Sequence, residues 1–326
     1  MSAYTPHSLT IVGMLLALLA ATLLAAFAVS RIRQVKIARV LAWIAVTAAA
    51  ATAERLTAQD PVGVRMLAIC AVTLIGMKGV VTVEYQALGG RALPMRNWLL
   101  FAAWPGMKPE LFETLGEPVA GAGALLKSGL IRLALGGVCF GLARAAWLAT
   151  SSRVLATARA LPAISLVLHF GLFNIGAGVF RLLGAPCTPL FDAPLASTSL
   201  TEFWGRRWNL AFTEMCKLAV YRPLLPHVNR GTATAAAFLL SALLHELAIS
   251  VPARAGYGLP LAYFALHGVL TVGEKRLAKR GTAIDARSRL LGRVWTVGWL
   301  VQPFQGHFPR DFDNNCAVDT WGLSTC

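Results

Sequence analysis

From Leu9 to Ser30 the chain carries no charged side chain. About 20 predominantly apolar residues suffice to cross a bilayer as a helix. In lipid every backbone N–H and C=O must be satisfied within the segment, which leaves helices and closed barrels as spanning structures. Apolar runs recur near 9–30, 38–53, 66–83, 129–150, 161–183, 232–252, 256–273 and 291–305. They are too long and too evenly apolar for barrel strands, which alternate. The pattern predicts an all-α integral multi-pass membrane protein with about eight transmembrane helices, folded as one domain over residues 1–326. A shorter apolar piece, "WLLFAAWPGM" (Trp98–Met107), is too short to cross and reads as a re-entrant or interfacial element. The first run lacks a basic leader and a small-residue cleavage site, so it reads as a retained span.

Charge supports this class. Only 14% of residues are charged, against about 25% in soluble domains. The net charge of +15 is distributed in short segments between apolar runs, which indicates orientation and not a nucleic-acid surface. With "RIRQVKI" (31–37) in the cytoplasm, nineteen Lys and Arg fall in cytoplasmic loops and six outside, placing both termini on the non-cytoplasmic side. Lys78 and Arg144 lie deep enough within spans to face a polar cavity, whereas Arg132, Arg181 and Arg293 sit near span ends and can snorkel. The six cysteines form no CxxC pair, so no metal or redox motif is present. Cys316 and Cys326 would pair only if the tail met an oxidising compartment.

Two segments carry chemistry. In "STSLTEFWGRRWNLAF" (197–212), Ser199 and Glu202 form a capping box that predicts a helix start near Leu200. Continued helically, Glu202, Arg206, Asn209, Thr213 and Lys217 fall on one polar stripe beside Trp204, Trp208 and Phe212. This predicts an amphipathic helix on the cytoplasmic face of the membrane. It is either a surface anchor or one wall of a cavity into which Asn209 points.

The second is "TATAAAFLLSALLHELAISVP" (232–252), which buries His245 and Glu246 in a span. An ionisable pair there is costly in lipid and is a functional hypothesis by default. Ile249 stands where a zinc protease would need its second histidine, so a general base is a better reading than a metal site. A histidine merely bonded to a neighbouring helix is the plainer alternative. His267 in "YFALHGVL" is also intramembrane and either lines the same cavity or packs beside Gly268. His169, on one helix with Asn174, reads as a structural polar pair. No nucleophile elbow, phosphate-binding loop or zinc-finger spacing occurs.

Together, "SLTEFWGRRWNLAF", "LAVYRPL" and "FLLSALLHEL", in this order and spacing, resemble the wax synthase branch of the membrane-bound O-acyltransferases. "WPGM" (104–107) and "ALHGVLTVGEK" (265–275) also look like flanking segments of that family. The detailed resemblance covers roughly 195–275. It implies an enzyme that moves a fatty acyl group from acyl-CoA to the hydroxyl of a lipophilic alcohol within membrane lipid, with acyl-CoA as co-substrate and no cofactor. His245 matches the intramembrane histidine of that family and Asn209 the asparagine of its W-N motif. Trp204, Arg206, Arg207 and Trp208 fall in the same string, and Glu246 and His267 are further candidates for substrate contact.

An alcohol is a weak nucleophile without a positioned base, which a buried neutral imidazole supplies. Asn209 would steady the oxyanion or orient the imidazole. Two alternatives share the sequence: transfer, including acetyl transfer, to a sterol, terpenoid or polyketide hydroxyl, and a lipid-handling transporter. The transporter lacks the inverted repeat expected of many such folds.

Overall fold

The computed structural model describes residues 4–280 and 288–301. Cys316, Cys326 and His307 lie outside the described residues. Contacts divide the chain into two compact units. Of the described residues, one takes the chain up to Glu110 and from Ala193 to Val301, and the other is Leu111–Asp192.

Among the described residues six helical segments are long and apolar enough to cross a membrane: Leu9–Val29, Val35–Leu56, Val62–Ala87, Ala122–Thr150, Ala158–Leu182 and Arg230–Ala253. They correspond to the first six predicted spans. The seventh predicted span is the helix Leu259–Lys279, whose last turns carry Glu274, Lys275, Arg276 and Lys279. The eighth falls on the helix Arg289–Val301, whose predicted span continues beyond the described residues. Large apolar side chains such as Leu16, Leu24, Val138 and Leu142 are exposed. A lipid-facing surface has this character, since acyl chains are as apolar as leucine.

In the larger unit, small residues let the first three helices approach closely. A Cβ on Gly76 would stand 2.7 Å from Val46, and one on Gly79 would stand 3.0 Å from Ala26. Such small-residue seams are how apolar helices pack where no hydrophobic force joins them. The Arg39 guanidinium clamps both oxygens of Glu84 at 2.7 Å each, joining the second and third helices. Ala49, Ala53, Ala68, Ile69 and Val72 form a core cluster against which Leu247 and Val251 pack. Arg65, buried, donates to the carbonyls of Pro252 (2.6 Å) and Val251 (3.1 Å) and pairs with Glu54. The end of the segment that contains His245 is therefore anchored to the first helices.

"WLLFAAWPGM" forms a short helix, Met95–Ala103, followed by a turn. Trp98, Phe101, Trp104 and Met107 are all buried. Lys78 is also fully buried and faces this turn, not a polar cavity. Its ammonium donates to the carbonyls of Trp104 and Gly106 at 2.5 Å each, and lies 4.0 Å from the Phe101 ring centroid. A buried ammonium is tolerable when its donors are satisfied in this way.

In the smaller unit the helices Ala122–Thr150 and Arg153–Ile164 continue through a π-helical stretch, Ser165–Leu172, into Phe173–Leu182. Gly129 and Gly136 sit directly against backbone of the facing segment. His169 stacks on Phe191, with centroids 4.3 Å apart.

Candidate active site

The helix Arg230–His245 starts where Asn229 Oδ1 accepts the Thr232 N–H at 3.0 Å. After His245 it loosens into a π-helical turn, Glu246–Ser250, just ahead of Pro252. Proline lacks an N–H and its ring presses on the carbonyl four residues back, so the helix widens here. Lys217–Tyr221 is π-helical ahead of Pro223 for the same reason.

His245 Nδ1 lies 2.7 Å from the carbonyl oxygen of Ser241. A carbonyl can only accept, so Nδ1 carries the hydrogen, and in the neutral imidazole Nε2 then keeps its lone pair. The half-buried imidazole packs against Phe264 (centroids 4.2 Å) and Phe212 (5.0 Å). The hydrogen bond and the two rings fix the direction of Nε2, in aromatic surroundings.

The predicted amphipathic helix is not continuous. Leu200–Glu202 runs into a π-helical turn, Phe203–Arg207, and the chain then breaks. Trp208 is extended, and Asn209 takes the left-handed conformation with φ +43°. Asparagine is among the few side chains that enter this region at low cost. Its Oδ1 accepts the Phe212 N–H at 3.3 Å and so starts a new helix, Leu210–Cys216. The break divides the expected polar stripe. Glu202 pairs with Arg207, at 2.7 Å, and Arg206 is exposed.

Carboxylates secure the starts of the helices Leu200–Glu202 and Leu259–Lys279. Ser199 Oγ accepts the Glu202 N–H at 3.0 Å, and Glu202 accepts the Thr198 N–H at 2.8 Å, so the capping box forms. Glu274, unremarked in the sequence, accepts the N–H groups of Leu200 (2.9 Å) and Thr201 (2.8 Å) and the indole N–H of Trp295 (2.8 Å). Burial raises the Glu202 carboxyl, but the Thr198 and Arg207 hydrogen bonds outweigh it and hold the group below its ordinary value. Glu246 has a comparable structural task. Its Oε1 accepts the N–H groups of Gly258 (2.8 Å) and Leu261 (3.1 Å) and caps the helix Leu259–Lys279.

His267, on that capped helix, is fully buried. The Trp204 indole N–H donates to its Nδ1 at 3.1 Å, which leaves the hydrogen on Nε2. His245 and His267 thus hold opposite tautomers. Trp204 also stands 5.5 Å from Phe264, the ring that covers His245, and its carbonyl accepts the Thr213 hydroxyl at 2.6 Å. Trp208 stacks on Phe203, with centroids 5.5 Å apart and planes 13° apart. The described structure therefore places His245 and Trp204 against Phe264, joins His267 to them through the Trp204 indole, and connects Asn209 through Phe212. Cys216 lies nearby, but burial pushes its thiol up to about 12, which leaves it no thiolate character. Among the described residues no group of three or more His, Cys, Asp or Glu is placed to hold a metal ion.

Comparison with known proteins falls on this constellation. Residues 187–266 match the membrane bound O-acyl transferase family. The matched stretch contains Trp204, Asn209, Phe212, His245, Glu246 and Phe264 and stops one residue short of His267. A probable long-chain-alcohol O-fatty-acyltransferase 2 of Arabidopsis thaliana is 35% identical over 147 residues, 40% of this chain and 43% of the relative. The long-chain-alcohol O-fatty-acyltransferase of Simmondsia chinensis is 33% identical over 140 residues, covering 37% and 39%. The chain thus spans less than half the length of these relatives. Over that region its likeness to the wax synthase branch of the membrane-bound O-acyltransferases holds. Glu274, Lys78 and the "WPGM" turn lie outside the residues matched to the family.

Proposed function

We propose that this protein is an acyl-CoA:alcohol O-acyltransferase that esterifies a lipophilic alcohol with a fatty acyl group, in the manner of a wax synthase. One observation carries the reading: the His245 Nδ1 hydrogen bond to the Ser241 carbonyl, which leaves Nε2 as a free base in the segment matched to the acyltransferase family. The long-chain alcohol and fatty acyl group named for the relatives supply the substrate class.

In the proposed step His245 Nε2 takes the hydroxyl proton as the alcohol oxygen attacks the thioester carbonyl carbon. Negative charge collects on the carbonyl oxygen, where the Asn209 side-chain amide donates. Its Oδ1 is already committed to the Phe212 N–H, which orients the amide nitrogen as donor. Collapse expels the CoA thiolate, which recovers the proton from the imidazolium. The products are ester and free CoA. Phe212 and Phe264 limit water at the base, which favours alcohol over hydrolysis. Arg206, exposed beside this segment, is available to the CoA phosphates. On this reading the basic loops face the cytoplasm and both termini the opposite side, with membrane lipid supplying the acceptor.

The test is turnover by purified protein in lipid nanodiscs, followed by mass spectrometry of esters and a thiol assay for CoA. CoA release is expected only with both acyl-CoA and a long-chain alcohol present, and His245→Ala should abolish it in protein that still folds. Release without alcohol, or normal turnover by His245→Ala, would overturn the reading.

A further inference from the structure

The "WPGM" turn lies outside the matched region, and the proposed chemistry uses none of its side chains. Its contacts give it another task. Lys78, fully buried, donates to the Trp104 and Gly106 carbonyls on one side of the turn. Beyond it the Met107 N–H donates to Glu214 Oε2 at 2.9 Å, and Lys108 Nζ pairs with Glu214 Oε1 at 3.0 Å. The Glu214 side chain is 11% exposed and that of Lys108 41%, so the carboxylate is largely desolvated while the ammonium still meets solvent, and the contact is charge-assisted. Gly106 is required at the turn, because a Cβ there would stand 2.2 Å from the Trp104 indole nitrogen.

Glu214 belongs to the short helix Leu210–Cys216 that Asn209 starts and that places Phe212 against His245. Residues two apart on an α-helix lie about 200° apart around its axis. Phe212 and Glu214 therefore occupy opposite sides of the helix. One side meets the His245 imidazole, and the other is bonded to a turn fixed by a buried lysine. Even continued through the π-helical turn Lys217–Tyr221, so short a helix is marginal alone and takes its position from what it packs against.

We propose that Glu214 and Lys78 are positioning residues of the acyl-transfer site, acting through the 104–108 turn to press the Asn209–Phe212 segment onto His245. This inference rests on the proposed acyl transfer for its functional meaning, but the bracket itself is testable without turnover. Displacement of about 1 Å at a catalytic constellation can cost on the order of 10²-fold in rate.

The experiment compares wild type, Glu214→Ala and Glu214→Gln in nanodiscs by hydrogen–deuterium exchange and by the rate of diethylpyrocarbonate modification of His245. Turnover is measured alongside. Glutamine keeps an acceptor for the Met107 N–H, whereas alanine removes it. Glu214→Ala should speed exchange in 104–108 and 210–216, leave 62–77 unchanged, and alter His245 modification. Its kcat should fall by on the order of 10²-fold with the KM for acyl-CoA held, and Glu214→Gln should recover most of that loss. Unchanged local exchange and His245 reactivity in Glu214→Ala would overturn the bracket, as would faster exchange in every helix alike. If wild type itself shows no transfer, the proposed function fails, while exchange and modification still decide the bracket.

Discussion

The side chain of His245 is bonded to the backbone, not the hydroxyl, of Ser241: Nδ1 meets the carbonyl oxygen at 2.7 Å. The tautomer that leaves Nε2 basic is thus imposed by the helix that carries the histidine. Ser241→Ala should therefore keep ester formation within about threefold of wild type, an effect below 1 kcal/mol. His245→Gln should lose it by on the order of 10³-fold, within the range of a general base. Parallel kinetics of the two variants decide this. Loss in Ser241→Ala comparable with that in His245→Gln would remove the backbone from the account.

Asn209 combines two demands that substitution can separate. Its left-handed backbone and its Oδ1 cap are structural, whereas its amide nitrogen is the proposed donor to the oxyanion. Asn209→Asp retains an acceptor for the cap, so thermal stability should stay near wild type while kcat falls. Asn209→Ala should lose about 1–2 kcal/mol of stability from the cap alone. Melting curves and kcat measured together test this. Full activity in Asn209→Asp would confine the residue to structure.

Glu274 accepts two backbone N–H groups and one indole N–H from segments far along the chain. Glu274→Ala strands these donors and should destabilise the larger unit by about 3 kcal/mol, given roughly 1–3 kcal/mol for each unsatisfied buried group and partial access to water. Trp295 emission should shift as its indole N–H loses its acceptor. Unaltered emission and melting in Glu274→Ala would refute this role.

The Glu202 carboxyl is held below its ordinary value by Thr198 and Arg207. A carboxylate lowered on folding stabilises the fold above its unfolded value, and that contribution disappears as pH falls through the folded value. The 198–207 segment should loosen on the acid side of the usual carboxylate range, and not near neutrality. Hydrogen exchange of this segment measured against pH checks the sign. Glu202→Gln should flatten the profile.

Much of the site could be read in the sequence because its residues are local and chemically conspicuous. His245 stands out through the cost of an ionisable group in a span, and Asn209 through its string. The helix break at Trp208–Asn209 was hidden because the 3.6-residue pattern runs on through it, and only tertiary contacts select the left-handed turn. Glu274 and Glu214 were missed for a different reason. Each acts on backbone groups 74 and 107 residues away, and helical periodicity carries no information about such pairs. Lys78 was recognised as deeply placed, but its partners are carbonyls of a turn and have no side-chain signature. The seventh predicted span differs from the first six because its helix ends in a dense charged turn.

The Glu246 carboxylate has a consequence for the charge along the helix it caps. The helix Leu259–Lys279, with 21 residues, is about 30 Å long, close to the thickness of a bilayer's hydrocarbon core. Its N-terminal amides, the usual invitation to a phosphate, are already occupied by the protein's own anion. Its other end carries Lys275, Arg276 and Lys279. The helix thus gathers its cationic side chains at the end opposite to the one where its dipole would hold an anion.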